Sequence, residues 1–363
     1  MQEKKGNIEA LLVEPFLVFY LVHSMQAGVG VLGFTRYLAD AAGYQGWIAV
    51  IISGLCIHLF IWMIYQILGP KQHDIITVHN QTFGRIFGGL LSLFIVAYFT
   101  LAAIVVLRTY IEIIQIWIFP DIPIWSICFI LTLLAYYMIT QGFRVVVGIS
   151  FFSIIIPFFL LLAALVPLEF AEFHRLLPLF DTTIKEQIEA TKTMTLSYLG
   201  PEILLLAYPF IKNGVTSQKW AHFGNLYTLL IYLMITIVHY SFYSPGHIAT
   251  VIWPLITSWK IVQLPFIERF EYLGIASWLI IITPNIALCI WAASRGLKEM
   301  FNWPHRQMLR LIALSVFFIA LMFQSRQEID QLNNFMSSLG LYFLYFYIPI
   351  LFLITMLKRK LFK

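Results

Sequence analysis

Charge is what this sequence has least of. Only 11% of its 363 residues are Asp, Glu, Lys or Arg, where a soluble domain typically carries about 25%. Hydrophobic residues make up 60%, and the mean hydropathy is +0.84. That balance excludes a soluble globular domain and points to an all-α polytopic membrane protein. Cysteine is nearly missing as well. Cys56, Cys128 and Cys289 lie in three different apolar runs, so neither a disulfide framework nor a metal set is expected. HExxH, CxxC and Walker motifs are absent from the sequence. With no metal set, nucleophile–base pair or cofactor loop, no enzymatic activity and no cofactor are expected. Nor does a small-residue cleavage site follow Met1-Gln2-Glu3-Lys4-Lys5-Gly6-Asn7, so the first apolar run is expected to insert uncleaved.

What is present is apolar length. A bilayer core of about 30 Å takes roughly 20 apolar residues per helix. Ten runs qualify: 13–38, 46–68, 84–119, 122–140, 145–167, 190–211, 221–245, 270–295, 304–324 and 335–357. The chain then reads as one transmembrane domain over 1–363. A first repeat covers about 13–167, a connector 168–189, a second repeat about 190–357, and a basic cytoplasmic tail 358–363. Segment 246–265 is apolar enough to imitate an eleventh span. Pro254, Pro265, Lys260, Trp253 and Trp259 argue instead for interfacial, partly re-entrant helices, because tryptophans favour the headgroup level.

Ten spans place both termini on one side, and the basic residues choose it. With the termini inside, fifteen of the 23 lysines and arginines fall inside, among them Lys4, Lys5, Arg144, Lys358, Arg359, Lys360 and Lys363. Seven fall on outer connectors and span ends, and Arg108 lies within a span. The positive-inside rule therefore gives cytoplasmic N- and C-termini. The basic tail also suits an anionic leaflet of the lipid bilayer. The net charge of +5 is topological, and no nucleic-acid partner is implied.

Two of the ten runs carry helix breaks. Gly28-Val29-Gly30-Val31-Leu32-Gly33 spells the dinucleotide fingerprint GxGxxG, but no strand precedes it and hydrocarbon-length helix flanks it, so that reading fails. Three glycines in six residues weaken a helix by about 1 kcal/mol each relative to alanine and let backbone approach a ligand. Close helix packing is the alternative use of such glycines. The sixth run shifts the balance. Gly200-Pro201-Glu202 reads as a helix start in mid-span: a glycine cap, proline at the first position, an acid in the first turn. Discontinuous helices at matching positions of two five-span halves point to a transporter-type site near the midplane.

The chemistry follows from the broken ends. Amides at about Gly28 to Leu32 would face an anion, and carbonyls at about Leu196 to Leu199 a cation. That pair of ends suits a free amino acid. The expected ligand residues are Ala27, Gly28, Gly30, Gly33, Ser197, Tyr198, Gly200 and Glu202, with Tyr198 and Phe34 walling the side-chain pocket. No metal ligand is expected. For Glu202 three overlapping roles stay open: capping its own half-helix, shaping the site, or coupling to protons. Arg108 and Glu112 stand one turn apart at i,i+4, so a self-satisfying pair is the economical expectation, with gating or coupling as the alternative. His23, Ser24 and Gln26 approach the first break from its amino side.

Leu196-Ser197-Tyr198-Leu199-Gly200-Pro201-Glu202-Ile203 resembles the sixth-span signature of the amino acid–polyamine–organocation superfamily. Further stretches resemble one branch of it, the B subunit of bacterial spore germinant receptors. They are Gly28 to Arg36, Arg108-x-x-x-Glu112, Leu177-Pro178-Leu179-Phe180, Ile252-Trp253-Pro254, Phe266-Ile267-Glu268-Arg269-Phe270-Glu271 and Arg295-Gly296-Leu297-Lys298. The resemblance implies a LeuT-like 5+5 inverted repeat with discontinuous helices 1 and 6. It implies residence in the spore inner membrane or cell membrane, beside an A-type membrane subunit and a C-type lipoprotein. It also implies detection of a small-molecule nutrient such as an amino acid, on Gly28, Gly30, Gly33, Tyr198, Gly200 and Glu202. Pro201 departs from that pattern, where a non-proline residue is commoner. Receptor, proton-coupled amino acid transporter, and a scaffold or water/ion conduit with a vestigial site are the functions this leaves.

Overall fold

The computed structural model describes residues 12–361, so Lys4, Lys5 and Lys363 of the charge argument lie outside it. The first run is divided as expected, into α1 (Leu17–Gln26), a 3-10 turn Val29–Leu32, and α2 (Phe34–Ala42). Then come α3 (Trp47–Leu68), α4 (Ile75–Trp117), α5 (Ile124–Thr140), and a fifth run split by Pro157 into α6 (Phe143–Ile155) and α7 (Phe158–Ala163). The second half opens with α8 (Ile184–Tyr198). After a break it continues as a 3-10 turn Pro201–Ile203, α9 (Leu204–Ala207) and a further 3-10 turn Tyr208–Phe210. The remaining helices are α10 (Gln218–Phe242), α11 (Pro245–Thr250), α12 (Pro254–Ser258), α13 (Phe270–Phe301), α14 (His305–Ala320), α15 (Arg326–Tyr342) and α16 (Ile348–Leu361). A π-helical turn, Phe343–Tyr347, joins the last two.

Among the described residues, six helical segments are long and apolar enough to cross a membrane: Trp47–Leu68, Ile75–Trp117, Phe143–Phe170, Gly214–Phe242, Phe270–Phe301 and Arg326–Leu361. The protein is therefore an integral membrane protein. The other four runs are short or broken: α5 and α14 have 17 and 16 residues, and runs one and six are each cut in two.

Local chemistry sets the boundaries. Asp74 caps α4 by accepting from the Thr77 amide at 2.8 Å. Gly84, at φ +76°, divides that helix where the third run begins. Pro157 has no N–H to offer the preceding turn, and the fifth run breaks there. Reciprocal capping boxes start α8 (Thr183 with Glu186) and α15 (Ser325 with Glu328), each satisfying two end amides.

Two expectations change. Trp253 and Trp259, expected to face the headgroup level, are covered by protein, at 7% and 0% exposure. Trp253 lies against Gly33, and Trp259 against Gly274 and the Trp278 ring, because those glycines leave flat spaces that an indole fills. The basic tail is also not free. Arg359 donates to the carbonyls of Gln66 and Ile67 at 2.7 Å each, closing the end of α3, and Lys358 reaches the carbonyls of Gln81 and Thr82. Last-turn carbonyls have no intrahelical partner and attract cations.

The packing is paired. α1 lies against α10 and α6, while α8 lies against α3 and α15. α4 packs along α13, α3 along α10, and α5 along α14. α4 also touches α15 and α14, just as α13 touches α6 and α5. The chain start is tied to the end of the sixth run: the Val13 amide donates to the Phe210 carbonyl and the Lys212 amide to the Val13 carbonyl, both at 2.9 Å.

Candidate functional site: the two interlocked breaks

Both breaks form where the local sequence cannot continue a helix, and they form against each other. Gly200 sits at φ +151°, a conformation closed to side chains. A Cβ there would stand 2.9 Å from the Gln26 amide nitrogen and the Met25 carbonyl carbon. Gly30 lies on Ser197, where a Cβ would meet Oγ at 3.1 Å, and Gly28 lies on Asn285, 3.1 Å from its Nδ2. The glycines thus serve close approach of backbone to backbone as well as loss of helix.

Polar side chains fasten the crossing. The Tyr232 hydroxyl reaches the carbonyls of Gln26 (2.7 Å) and Ser197 (2.9 Å), one from each break. Gln26 Nε2 donates to the Tyr198 carbonyl and to Asn225 Oδ1, while Asn225 Nδ2 donates to the Gly54 carbonyl. Two carbonyls expected to face a cation, those of Ser197 and Tyr198, are thus already occupied within the protein. Leu196 and Leu199 are the remaining end carbonyls, with no donor among the described residues.

Glu202 closes the start of its own half-helix. One carboxylate oxygen accepts from the Gly200 amide and the other from the Tyr98 hydroxyl, both at 2.7 Å. Of the three roles open from the sequence, capping is the one drawn in hydrogen bonds.

A chamber of about 60 Å³ lies beside the crossing. Gln26, Gly28, Gly30, Ser197, Gly200 and Glu202 line it from the breaks, Phe99 and Ala102 from α4, Asn285 and Cys289 from α13, and Met336 from α15. Two buried oxygens in its lining residues have no partner, Gln26 Oε1 and Asn285 Oδ1. Their orientation follows from the other end of each amide: Gln26 Nε2 serves two acceptors, and Asn285 Nδ2 donates to the Met25 carbonyl at 3.2 Å, a task only an NH2 group performs. The amides of Val29 and Gly30, at the start of the 3-10 turn, also find no backbone acceptor.

Five of the eight expected ligand residues therefore meet at one chamber: Gly28, Gly30, Ser197, Gly200 and Glu202. Three do not line it. Ala27 faces a separate cavity on the other side of the break. Gly33 packs under Trp253. Tyr198 turns to α3, donating to the Val50 carbonyl at 3.0 Å, and Phe34 stacks on Tyr232 away from the chamber. Asn285, Asn225, Tyr232 and Tyr98 were missed by a search centred on ionisable groups, although an uncharged polar side chain inside an apolar run is itself a signal.

The Arg108–Glu112 pair is not formed. Arg108 donates to the carbonyls of Phe323 (2.6 Å) and Gln324 (3.3 Å) in the turn between α14 and α15. Glu112 pairs with Arg326 at 2.8 Å, and Arg326 also holds Asp330 at 2.7 Å. A base preceding an acid at i,i+4 is the weaker orientation on a helix, and turn carbonyls without donors compete well for the guanidinium.

Helices broken at matching places, with a buried chamber between them, are the architecture of a transporter-type membrane protein. A solved structure agrees: a Na+-coupled sialic acid symporter in a substrate-bound outward-open state matches with a TM-score of 0.64, over 90% of this chain and 76% of that one, at 11% identity. The fold is thus the LeuT fold. The spore germination protein family matches residues 12–329. Spore germination protein GerQB of Bacillus cereus is 39% identical over 349 residues, covering 96% of this chain and 97% of its own. Spore germination protein A2 of Bacillus subtilis (strain 168) is 25% identical over 366 residues, at 96% and 97% coverage. The chain belongs to the spore germination protein family.

Proposed function

We propose that the chain is the nutrient-sensing subunit of a spore germinant receptor, lying in the spore inner membrane. It binds a free amino acid in the chamber between the two breaks and signals to an A-type membrane subunit and a C-type lipoprotein. The observation that carries this reading is the chamber itself: bounded by both breaks, and lined by two residues, Gln26 and Asn285, whose buried amide oxygens no protein group satisfies. Burying such an atom unpaired costs about 1–3 kcal/mol, and a ligand donor removes that cost. An ammonium group supplies donors for Gln26 Oε1, Asn285 Oδ1 and the Leu196 and Leu199 carbonyls. The carboxylate goes to the unpaired amides of Val29 and Gly30.

Ten spans in a 5+5 inverted repeat, with cytoplasmic termini, complete the proposal. The packing supports it: exchanging spans 1 to 5 for 6 to 10 turns α1–α10 into α8–α3, α1–α6 into α8–α15, and α4–α15 into α13–α6, all of them contacts that occur. A second reading, proton-coupled amino acid transport, is favoured by one observation, the Glu202 carboxylate in the chamber wall.

The test is binding of labelled amino acids to the purified protein in lipid nanodiscs. At least one should bind saturably, with the Gly30→Leu and Asn285→Ala variants weakened tenfold or more. Unchanged binding in both variants would remove the chamber from the proposal. Accumulation of that amino acid in liposomes under a proton gradient would favour the transporter.

A further inference from the structure

The first break has a second cavity on its other face. This one, of about 80 Å³, is bounded by α1 and the break itself (His23, Ala27, Val31), by α6 and α7 around Pro157, by α10, and by Trp259 and Trp278. It shares no break glycine with the chamber described above.

Most of its polar groups are already committed. His23 Nδ1 meets the Thr228 hydroxyl at 2.8 Å, the Ser24 hydroxyl donates to the Leu21 carbonyl, and the Ser153 hydroxyl to the Ser150 carbonyl. Of the groups left over, three matter here. The indole N–H groups of Trp259 and Trp278 are buried without an acceptor, in side chains 0% and 5% exposed with ring centroids 5.9 Å apart. The Ser153 carbonyl has lost its helical donor, because residue 157 is proline. An indole N–H can only donate, so what satisfies this pair must carry an acceptor.

The walls decide the rest. No Asp, Glu, Lys or Arg lines the cavity, so a charged ligand would be buried without a counter-ion at high cost. One side reaches the lipid-facing surface: Phe158 is 50% exposed, and Ile154, Leu161 and Ile231 are partly exposed. The repeat relation explains the opening. α16, the second half of the tenth span, packs along α3, but its counterpart α7 makes no comparable contact with α10. A gap stands where the other half is closed.

We infer that this cavity is a second binding site, reached sideways from the bilayer, for a small uncharged molecule that is mostly apolar and carries one hydroxyl, such as a short- or medium-chain alcohol. The hydroxyl oxygen accepts from the tryptophan pair, its proton goes to the Ser153 carbonyl, and the alkyl chain lies between α7 and α10.

The test is photolabelling of the full-length protein in lipid nanodiscs with a diazirine-bearing octanol, mapped by mass spectrometry. Labelling should be saturable, concentrated on the segments holding Phe158, Ile231 and Trp278, and displaced by excess 1-octanol. Trp278→Phe should weaken it about 2- to 10-fold, the worth of one hydrogen bond. Ile231→Trp, which fills the mouth and leaves both indoles in place, should abolish it, so the test survives if the first variant fails to fold. Gly30→Leu, in the other chamber, should leave it unchanged, which separates this site from the amino acid site. Unsaturable labelling spread over lipid-facing residues, or equal labelling by the alkane analogue, would overturn the inference; so would a cavity holding only water, seen as no displacement by octanol.

Discussion

At the first break Gly28 and Gly33 sit at φ −96° and −129°, open to any residue, and the amides of Val29 and Gly30 stay unpaired. At the second, Gly200 is held at φ +151° and its amide is taken by Glu202. Tyr98, Gln26 and Tyr232 occupy the other Glu202 oxygen and the Tyr198 and Ser197 carbonyls, which leaves the Leu196 and Leu199 carbonyls without a donor among the described residues. The first break keeps its amides bare, and the second is fastened by the protein except at those two carbonyls. The first break is the one with a cavity on each face. On the proposed function, a ligand would complete the first break against a second that the protein's own hydrogen bonds already hold.

The comparison can be broken most forcefully at Gly200. In Gly200→Ala, backbone strain of about 1–3 kcal/mol adds to overpacking of about 1–3 kcal/mol against Met25 and Gln26. A loss of about 2–6 kcal/mol should appear as a large fall in the thermal unfolding temperature of the detergent-purified protein. Next comes Glu202→Gln, whose NH2 end cannot accept from the Gly200 amide or the Tyr98 hydroxyl. It should lose about 1–3 kcal/mol in the same unfolding measurement, and Tyr98→Phe, which leaves a buried carboxylate oxygen without its donor, should show a loss of the same order. If both variants unfold like the parent protein, Glu202 is not the cap.

The first break should respond in the opposite way. Gly30→Ala places a methyl 3.1 Å from the Ser197 hydroxyl, a contact that a side-chain rotation relieves. Its stability should change by under about 1 kcal/mol, while affinity for the bound amino acid falls about tenfold or more, read by equilibrium dialysis. The smallest effect belongs to the start of α8. The Thr183 amide and hydroxyl hold the Glu186 carboxyl below the usual carboxylate range. Its contribution is therefore complete above the unfolded-state pKa and lost as pH falls through the lower folded value. Hydrogen-exchange protection of the first α8 amides, corrected for intrinsic rates, should decline in that acidic window and nowhere else.

Much of this was legible in the residues. Gly200-Pro201-Glu202 announces a helix start because each residue is restricted locally: proline in φ, glycine in its freedom, an acid by the end amides. Thr183-x-x-Glu186 and Pro157 are legible for the same reason. Arg108 and Glu112 were not, because their partners, the Phe323 carbonyl and Arg326, lie more than two hundred positions further along the chain. The two buried tryptophans near Pro254 belong to that class too: an amphipathic ring fits a headgroup region and a glycine-floored pocket equally well until the pocket exists.

Composition by itself determined the membrane, the division into apolar runs and the two places where helix fails, since each depends on residues within one or two turns. The tertiary structure alone decided which break is satisfied and which is open. That outcome turns on Tyr98, Asn225, Tyr232 and Asn285, whose hydrogen bonds go to whatever the folded bundle brings within about 3 Å.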